Sequence, residues 1–527
     1  MKTKSEPFST STSTSLSSTC SYLLLIFLLI LRYCSILPGN NVLLDCDEVY
    51  NYWEPLLFTV KDDVTALNGA TSFQTWEYSR PYKLRTYAFL LPLRLSTLLS
   101  SSLFSPLVSL GYLPPSALNG PSLFHLGRLM LSWLSAVSDH ALISTCYKTH
   151  GPTTALLILP FLTLTAGTWF SSPALLPSSV AQSINSLVLS AHLNGDMNKA
   201  IALGMAATVC TGWPFVAVMY VPLGVHAVAR SYLQGRENAN DAIRTRGGTG
   251  YEGVKAVMGT LCYAAAVLCA LAGLAGCVDY KYYGEATNPN LNIFVYNALG
   301  GDEGGEMAEE GVNTGDELYG VEPWSYYFKN LFLNMNVPFL LSLLSPLHVL
   351  CRLVFSRSPP SLRLHLSSTL PLAMWLAMVW SRPHKEERFM YPCYPHIALT
   401  AAHVLADTAS SCEAMMLRRW RRRPASPALR SSDAADTARP ALPRALKSLA
   451  CLSAAAASVG LSFGRVLALS ANYSAPLSVY TGLHGRLVAE PGTVCVGSEW
   501  HRFPGNFFIP PGSSLEFVED GFGGQLP

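Results

Sequence analysis

Three carboxylates lie within four residues of one another, directly after the first apolar run of the chain: Asp45, Asp47 and Glu48. Asp45 and Asp47 share one side of an extended segment, whereas Asp45 and Glu48 share a face of a helix. Clustered carboxylates raise one another's pKa, and a raised pKa favours a group that accepts a proton from a hydroxyl. The alternative is a solvated helix N-terminus that is capped by Asp45 or Asp47. The local pattern favours both interpretations equally.

Aromatic side chains alternate with hydrogen-bonding groups in segment 73–85, which also carries three cations. This mixture is typical of carbohydrate sites, because sugars combine apolar C–H faces with rims of hydroxyl groups. Trp and Tyr at a membrane boundary are equally well explained as interfacial anchors. Patches 318–327 and 499–504 are similar but weaker. The candidate substrate-binding residues are Trp53, Glu54, Gln74, Trp76, Glu77, Tyr78, Glu322 and Trp324.

A dense charged turn, 382–389, lies between two apolar stretches. Charge at such a depth is expensive, so it is usually functional or strongly paired. His384, Lys385 and Arg388 are candidates for neutralising a phosphate carried by a lipid, with Glu386 and Glu387 holding these cations in place. The alternative is a connector with internal ion pairs.

The composition indicates the elements that must position these groups. Half of the 527 residues are hydrophobic and 13% are charged, against about 25% in soluble proteins. Mean hydropathy is +0.27. An ordinary soluble enzyme and a disordered chain are therefore excluded. The net charge of +2 gives no basic field for nucleic acid. The 13 cysteines show no CxxC spacing, which favours buried small side chains over a disulfide or zinc framework.

A membrane span needs about 20 mostly apolar residues, and eleven stretches approach this requirement. The sequence therefore predicts an all-α polytopic membrane protein of about 11 transmembrane helices. The predicted spans are 21–37, 86–110, 123–146, 153–170, 173–193, 199–229, 253–278, 330–354, 366–382, 389–408 and 445–469. The sixth is long enough to bend at Pro214 or Pro222.

Charged loops predict the orientation of the bundle. Residues 1–20 are predicted to form a disordered cytoplasmic tail, and the first span is predicted to be an uncleaved anchor, with a cleaved signal peptide as the alternative. The transmembrane domain is 21–469. The predicted inner loops are 111–122, 171–172, 230–252, 355–365 and 409–444, and they contain the arginine clusters. The predicted lumenal segments are 38–85, 279–329, the connector 383–388 and the C-terminal region 470–527, where Asn472 heads a glycosylation sequon.

Five motifs occur in an order that resembles a known family: DCDE with NYWEP at 45–55, FQTWEYS at 73–79, LYG with EPW at 318–324, HKEERF at 384–389 and EWHRFP at 499–504. The chain is similar, from about residue 43 onwards, to the endoplasmic-reticulum mannosyltransferases of glycosyltransferase family 22. Within that family it most resembles the α-1,2-mannosyltransferase branch that assembles the dolichol-linked oligosaccharide precursor of N-glycans. The DCDE and FQTWEYS motifs are the specific part, since HKEERF is shared more widely.

The resemblance implies a GT-C-like bundle in the endoplasmic reticulum membrane with a lumenal active site. It implies dolichyl-phosphate mannose as donor, a dolichol-linked oligosaccharide as acceptor and inversion at the anomeric carbon. By the family match, Asp47 is the expected base, supported by Asp45 and Glu48, and His384, Lys385 and Arg388 meet the donor phosphate. No cofactor is implied for certain, and a divalent metal stays open. No protein metal ligand is predicted.

Two departures from the family lie in predicted lumenal loops, where insertions are tolerated: the long link 61–72 and the Gly/Glu-rich insert 300–315. The alternative within enzymes is the branch that acts on glycosylphosphatidylinositol precursors, whose opening motif is usually His-Pro-Asp-Glu rather than Asp45–Glu48. A polytopic transporter is the alternative from another class. It would place charges at mid-membrane and show an internal repeat.

Overall fold

Helices make up most of the fold. The computed structural model describes residues 16–246, 251–297, 320–355, 362–421, 441–519 and 521. Its α-helices are α1 Ser18–Cys34, α2 Cys46–Glu48, α3 Glu54–Val60, α4 Leu91–Ser109, α5 Gly120–His150, α6 Pro152–Thr163, α7 Ala166–Ser171, α8 Pro177–Asn194, α9 Met197–Val209, α10 Val221–Arg246, α11 Glu252–Tyr283, α12 Pro289–Val295, α13 Ser325–Leu343, α14 Ser345–Phe355, α15 Leu362–Leu364, α16 Leu370–Trp380, α17 Tyr394–Arg421, α18 Ala441–Tyr473 and α19 Ala475–Ala489. The strands are β1 Thr493–Val496 and β2 Ser514–Phe517.

Among the residues that the structure describes, five helical stretches are long and apolar enough to cross a membrane. They are Pro214–Asn238, Glu252–Tyr283, Ser325–Phe355, Leu362–Trp380 and Ala441–Ala489. Their outer faces are rich in exposed leucine, valine and phenylalanine, as helices surrounded by lipid require. The helical membrane class predicted from the sequence is therefore confirmed. The exception is the C-terminal region, where β1 and β2 pair in parallel, with Thr493 opposite Ser514.

Charges inside the bundle are paired. Arg32, which interrupts the first apolar run, is fully buried, and its Nη2 lies 2.8 Å from Asp139 Oδ2 on α5. Its Nη1 donates to the carbonyl oxygen of Thr168 at 3.1 Å. A partnered guanidinium is tolerated at this depth because its donors are satisfied. The pair fixes α1 against α5.

Helix α4 differs from the predicted span at 86–110, because its start and the segment that follows it both lie beside the first loop. At one end Arg94 donates to the carbonyl oxygen of Thr59 at 3.1 Å. Just beyond the other end, Pro115 lines a cavity of about 140 Å³ together with Leu67 and Phe507. The six residues from Ser109 to Pro115 reach at most about 20 Å, so α4 does not carry the chain to the opposite side. The predicted inner loop 111–122 accordingly lies with the first loop.

Gly120 at the start of α5 shows how closely this region packs. A Cβ atom on Gly120 would lie 1.9 Å from the carbonyl oxygen of Phe507, so no other residue fits there. The first loop therefore extends to the start of α5, and the C-terminal region closes over it.

The predicted span 199–229 is two antiparallel segments. Helix α9 ends at Val209, and a 3₁₀ segment, Pro214–Tyr220, leads into α10. Gly212 has a φ of +71° at the reversal. Arg230 on α10 returns to donate to the carbonyl oxygen of Gly195, just before α9 begins, at 3.2 Å. The bend expected at Pro214 is present, but it reverses the chain rather than tilting one helix.

Several predictions fall outside the described residues. These are most of the tail 1–20, the insert 300–315, and part of the inner loops 230–252, 355–365 and 409–444.

Candidate functional site

The acidic motif opens a helix. Asp45 is its N-cap: its Oδ1 accepts from the backbone N–H of Asp47 at 2.9 Å. The helix continues from α2 through a π-helical turn, Val49–Trp53, into α3. π-Helical turns are rare and frequently lie at functional sites. The capping interpretation of Asp45 is therefore correct, and it is compatible with a catalytic role for Asp47 in the first turn.

Arg388 joins the acidic motif to the connector. Its Nη1 lies 2.9 Å from Asp45 Oδ1 and 3.1 Å from Oδ2. Its Nη2 lies 2.6 Å from Asp47 Oδ2 and 2.5 Å from Glu386 Oε2. Two segments more than 340 residues apart thus meet at one guanidinium group, which three carboxylates surround.

His384 completes this cluster. Its Nε2 lies 3.2 Å from Glu386 Oε1, and its Nδ1 lies 3.1 Å from the carbonyl oxygen of Gly320. Burial lowers the pKa of His384, but the hydrogen bond and charge of Glu386 raise it more, so the net shift is upward. The carboxylate therefore favours a protonated imidazole.

The two aspartates are electrostatically different. Burial raises the pKa of Asp45 to about 7, against the opposing charge of Arg388. Burial also raises the pKa of Asp47, but Arg388, Arg85 and His384 lower it more, so the net shift is downward. Asp47 is therefore ionised at neutral pH. Its Oδ1 has no hydrogen-bond partner within the described part of the chain, and its side chain is 32% exposed. This leaves one carboxylate oxygen open to a substrate hydroxyl.

Glu48 lies apart from this cluster. Its side chain is 2% exposed, and its Oε1 accepts from Arg128 Nη1 at 2.5 Å, from Trp53 Nε1 at 2.9 Å and from the backbone N–H of Leu175 at 3.0 Å. Glu48 thus fixes the helix to α5.

Lys385 is also used internally. Its ammonium group donates to the carbonyl oxygens of Glu322 at 3.0 Å, Pro383 at 3.2 Å and Arg382. These three bonds use all three donors of the group, and the residue is 7% exposed. Lys385 thus ties segment 320–324 to the connector.

Three of the predicted substrate-binding residues are buried: Trp53, Tyr78 and Glu54. Trp53 is 1% exposed and lies 4.4 Å from Phe124 between ring centroids. Tyr78 donates its hydroxyl to the carbonyl oxygen of Asn51 at 2.8 Å. Both stabilise the first loop from within.

Glu54 is 1% exposed and ties the first loop to the C-terminal region. Its Oε1 accepts from the backbone N–H of Asn506 at 2.6 Å, and its Oε2 accepts from Asn506 Nδ2 at 3.1 Å. Burial raises the pKa of Glu54 to about 7, against these hydrogen bonds. Because Glu54 lies two turns after Asp47 on the same helical segment, this contact also steadies the acidic motif.

Replacing Glu54 by glutamine is expected to flatten the pH dependence of thermal stability. The unfolded chain releases this proton near pH 4.5, whereas the folded protein holds it to about pH 7. Stability therefore falls as pH rises through that window, by on the order of 3 kcal/mol from this group. Thermal midpoints of both proteins between pH 4.5 and 8 measure the difference. Asp62→Asn, which changes an exposed carboxylate, should keep the wild-type slope. An identical slope in Glu54→Gln contradicts the prediction.

The other candidates are accessible. Gln74 donates from Nε2 to the Tyr87 hydroxyl, and Trp76 packs edge-on against Tyr82 at 4.9 Å. Glu322 is exposed, as is Trp324 with 73% of its surface. The backbone N–H of Glu322 donates to the carbonyl oxygen of Pro383 at 3.2 Å, which places this segment beside the connector.

Arg85 is a residue that motif analysis did not select. It forms an ion pair through Nε with Glu77 and donates through Nη1 to the Tyr52 hydroxyl at 2.8 Å. It also lowers the pKa of Asp47. Its position at the end of segment 73–85, beyond the last matched motif residue, gave only a weak signal. Arg85 thus connects the second motif to Asp47, the predicted base.

Asp45, Cys46 and Asp47 also meet one geometric condition for a metal site. Their potential ligand atoms lie within 4.8 Å of one another. Arg388 already neutralises both aspartates, so a divalent cation would compete with the guanidinium group for them. The two aspartates therefore suit a positively charged partner, and the guanidinium group of Arg388 is that partner.

Comparison with known proteins gives a match over most of the chain. The model of the Alg9-like mannosyltransferase family matches residues 23–510. The Arabidopsis thaliana α-1,2-mannosyltransferase ALG9 is 31% identical over 516 residues, which cover 96% of this chain and 74% of the relative. The human protein of that name is 28% identical over 95% of this chain and 71% of its own length. A GPI mannosyltransferase 3 from Yarrowia lipolytica is 24% identical over only 56% of this chain and 48% of its own length.

Among solved structures, ArnT from Cupriavidus metallidurans bound to undecaprenyl phosphate superposes with a TM-score of 0.56. The match covers 96% of this chain and 87% of ArnT at 12% sequence identity. At that identity, the likeness concerns the fold alone.

Proposed function

The chain belongs to the Alg9-like mannosyltransferase family, and from this premise we propose that it transfers mannose in α-1,2 linkage to the dolichol-linked oligosaccharide precursor of N-glycans. The proposed donor is dolichyl-phosphate mannose, and the proposed acceptor is the dolichol-linked oligosaccharide. The observation that carries the proposal is the ion-pair cluster in which Arg388 joins Asp45 and Asp47 to the connector.

The proposed reaction is a single displacement at the anomeric carbon. Asp47 accepts the proton of the acceptor hydroxyl through its open Oδ1, and the hydroxyl oxygen forms the new bond to the mannose carbon. The bond from that carbon to the phosphate oxygen breaks, and its electron pair leaves with dolichyl phosphate. Cations near the departing phosphate stabilise its growing charge. A β-linked donor thereby gives an α-linked product.

His384 and Arg388 lie beside the aspartates, and their positive charges are proposed to stabilise the departing phosphate while both residues keep their present partners. Gln74, Trp76, Glu77, Glu322 and Trp324 are the candidates for acceptor contacts that remain accessible or adjacent to the cluster. Trp53, Glu54, Tyr78, Glu48 and Lys385 are proposed to hold the site in shape.

Eleven membrane crossings are proposed. The predicted crossing at 86–110 is removed, and the predicted crossing at 199–229 becomes two crossings. The total therefore stays at eleven. The proposed crossings are α1, α5, α6 with α7, α8, α9, the 3₁₀ segment with α10, α11, α13 with α14, α15 with α16, α17, and α18. This count places the chain termini on opposite sides. It keeps the arginine-rich C-terminal ends of α10 and α17 inside.

The proposed location is the endoplasmic reticulum membrane with the active site on the lumenal face. The acidic motif, the connector and the C-terminal region meet on one side, which is the side predicted to be lumenal. Asn472 lies exposed in the last turn of α18, and its glycosylation would mark the same side.

The experiment that tests the function offers purified protein dolichyl-phosphate mannose and a panel of lipid-linked oligosaccharides. We expect transfer of single mannose residues that an α-1,2-specific mannosidase removes. A product formed only on glycosylphosphatidylinositol precursors, or the absence of any transfer by the inserted wild-type protein, would refute the proposal. The shorter and weaker match to GPI mannosyltransferase 3 favours the oligosaccharide acceptor.

A further inference from the structure

The cations that sequence patterns assign to the donor phosphate are already engaged. Arg388 binds three carboxylates, and Lys385 binds three carbonyl oxygens. Both ring nitrogens of His384 have partners. A phosphate at these residues would have to break an existing bond for each bond that it forms.

Arg465 on α18 is different. Its Nε donates to Asn334 Oδ1 at 2.9 Å, which fixes the plane of the guanidinium group. Its Nη2 approaches Glu387 Oε2 only to 3.7 Å, and within the described part of the chain its two terminal nitrogens make no hydrogen bond. A guanidinium fork in this state matches two phosphate oxygens at once.

Three neighbouring polar groups also lack partners. Asn330 and Asn334 on α13 and Tyr394 on α17 are all more than nine-tenths buried. Asn330 Oδ1, Asn334 Nδ2 and the Tyr394 hydroxyl have no hydrogen-bond partner among the described residues. Tyr394 and Asn334 both lie within 3.1 Å of the position of a Cβ added to Gly167, so they are adjacent. Unpartnered buried polar atoms around one cation indicate a ligand.

A kink in helix α13 positions this cluster. Helix α13 is kinked at Asn336, which has a φ of +31°, and Asn336 Nδ2 donates to Ser462 Oγ on α18 at 2.7 Å. Pro338 lacks the N–H that would bond to the carbonyl oxygen of Asn334 in a regular helix. The kink holds Asn330 and Asn334 opposite Arg465.

The cluster is on the membrane side of the catalytic connector. Glu387 belongs to the connector, next to Arg388, and Asn330 Nδ2 donates to Glu387 Oε2 at 2.9 Å. Arg465 precedes the end of α18 by eight residues, about 12 Å of helix. A charge at this depth in an apolar helix marks a functional site. A lipid-borne phosphate that approaches the aspartates from the membrane would pass this fork.

We propose that Arg465, with Asn330, Asn334 and Tyr394, binds the phosphate of the polyprenyl donor on the membrane side of the connector. The inference rests on the proposed function only in that the donor is a lipid phosphate. Arg388 then keeps its bonds to the aspartates while the donor binds.

The test measures the thermal midpoint of the full chain during titration with dolichyl phosphate, which carries no sugar. Arg465→Gln should raise the half-saturating concentration at least tenfold, and Arg465→Lys should recover part of this loss. Arg352→Gln is the matched control, because Arg352 is similarly exposed and lies 3.5 Å from Asp407. It should titrate like the wild type.

An unchanged titration of Arg465→Gln would overturn the inference. So would equal stabilisation of the wild type by dolichol, which lacks the phosphate, or by inorganic phosphate, which lacks the lipid. The midpoint without ligand reports folding, and Arg465→Lys keeps the test valid if the glutamine variant does not fold. A wild-type protein that binds dolichyl phosphate through Arg465 but transfers no mannose would refute the proposed function and leave this inference standing.

Discussion

Replacing Asp47 by asparagine is expected to lower the rate of mannosyl transfer by about 10²–10⁴-fold, the usual cost of removing a general base. Asparagine keeps the size of the side chain and can still accept a hydrogen bond from Arg388, but it cannot take the proton from the acceptor hydroxyl. The initial rate at saturating donor and acceptor measures the loss. The thermal midpoint should change little, since Asp47 is partly exposed.

Asp45→Asn is the matched control for this prediction. Asparagine is a good N-cap, so it preserves the start of the helix, and both oxygens of Asp45 already face Arg388. We expect a smaller loss of rate than for Asp47→Asn. Near-normal turnover in a correctly inserted Asp47→Asn protein, together with a large loss in Asp45→Asn, would move the base to Asp45.

Residue types identified the charged segments but not their mutual contacts. The acids after the first span and the charged turn at 382–389 were both selected, because charge beside a membrane span is conspicuous. That Arg388 binds Asp45 and Asp47 directly follows from helix packing over more than 340 residues, which no local pattern encodes. The predicted base and two of the residues predicted to meet the phosphate therefore belong to one cluster.

Burial explains why two predicted site residues, Glu48 and Glu54, lie outside the cluster around Arg388. Glu48 and Asp47 are adjacent and chemically similar, yet Glu48 is buried in an ion pair with Arg128 on α5 and lies away from the cluster. The available signal was an arginine inside the apolar run 123–146. Glu54 was attractive as a substrate ligand because it belongs to a motif, but Asn506 near the end of the chain takes both of its oxygens.

Apolar length alone predicted a membrane span at helix α4, and this prediction differs from the structure. Helix α4 is rich in leucine, but two of its three buried residues, Thr97 and Ser100, are polar, and Arg94 anchors its start to the first loop. An amphipathic helix beside the membrane and a span have similar composition at this length. The contacts at the two ends of the helix distinguish them.

Arg388→Ala is expected to reduce transfer by at least about 100-fold, more than the loss of a single surface contact would produce. The alanine variant leaves Asp45, Asp47 and Glu386 together without their shared counter-ion, so repulsion raises the pKa values of the two aspartates. A protonated Asp47 no longer acts as a base at neutral pH. Turnover should therefore fall even when both substrates are saturating, and it should recover in part at higher pH, where the carboxyl groups ionise.

Arg388→Lys separates the orientation of the acids from the neutralisation of their charge. An ammonium group supplies the charge but cannot form the planar contacts with Asp45 and Asp47 at once, so we expect partial recovery without the displaced pH profile of Arg388→Ala. Saturation curves with varied donor and with varied acceptor show which of the two substrates Arg388→Ala binds less tightly. If Arg388→Ala weakens only the acceptor curve and leaves the donor curve and turnover unchanged, the cluster is an acceptor contact. Arg388 would then have no role at the departing phosphate.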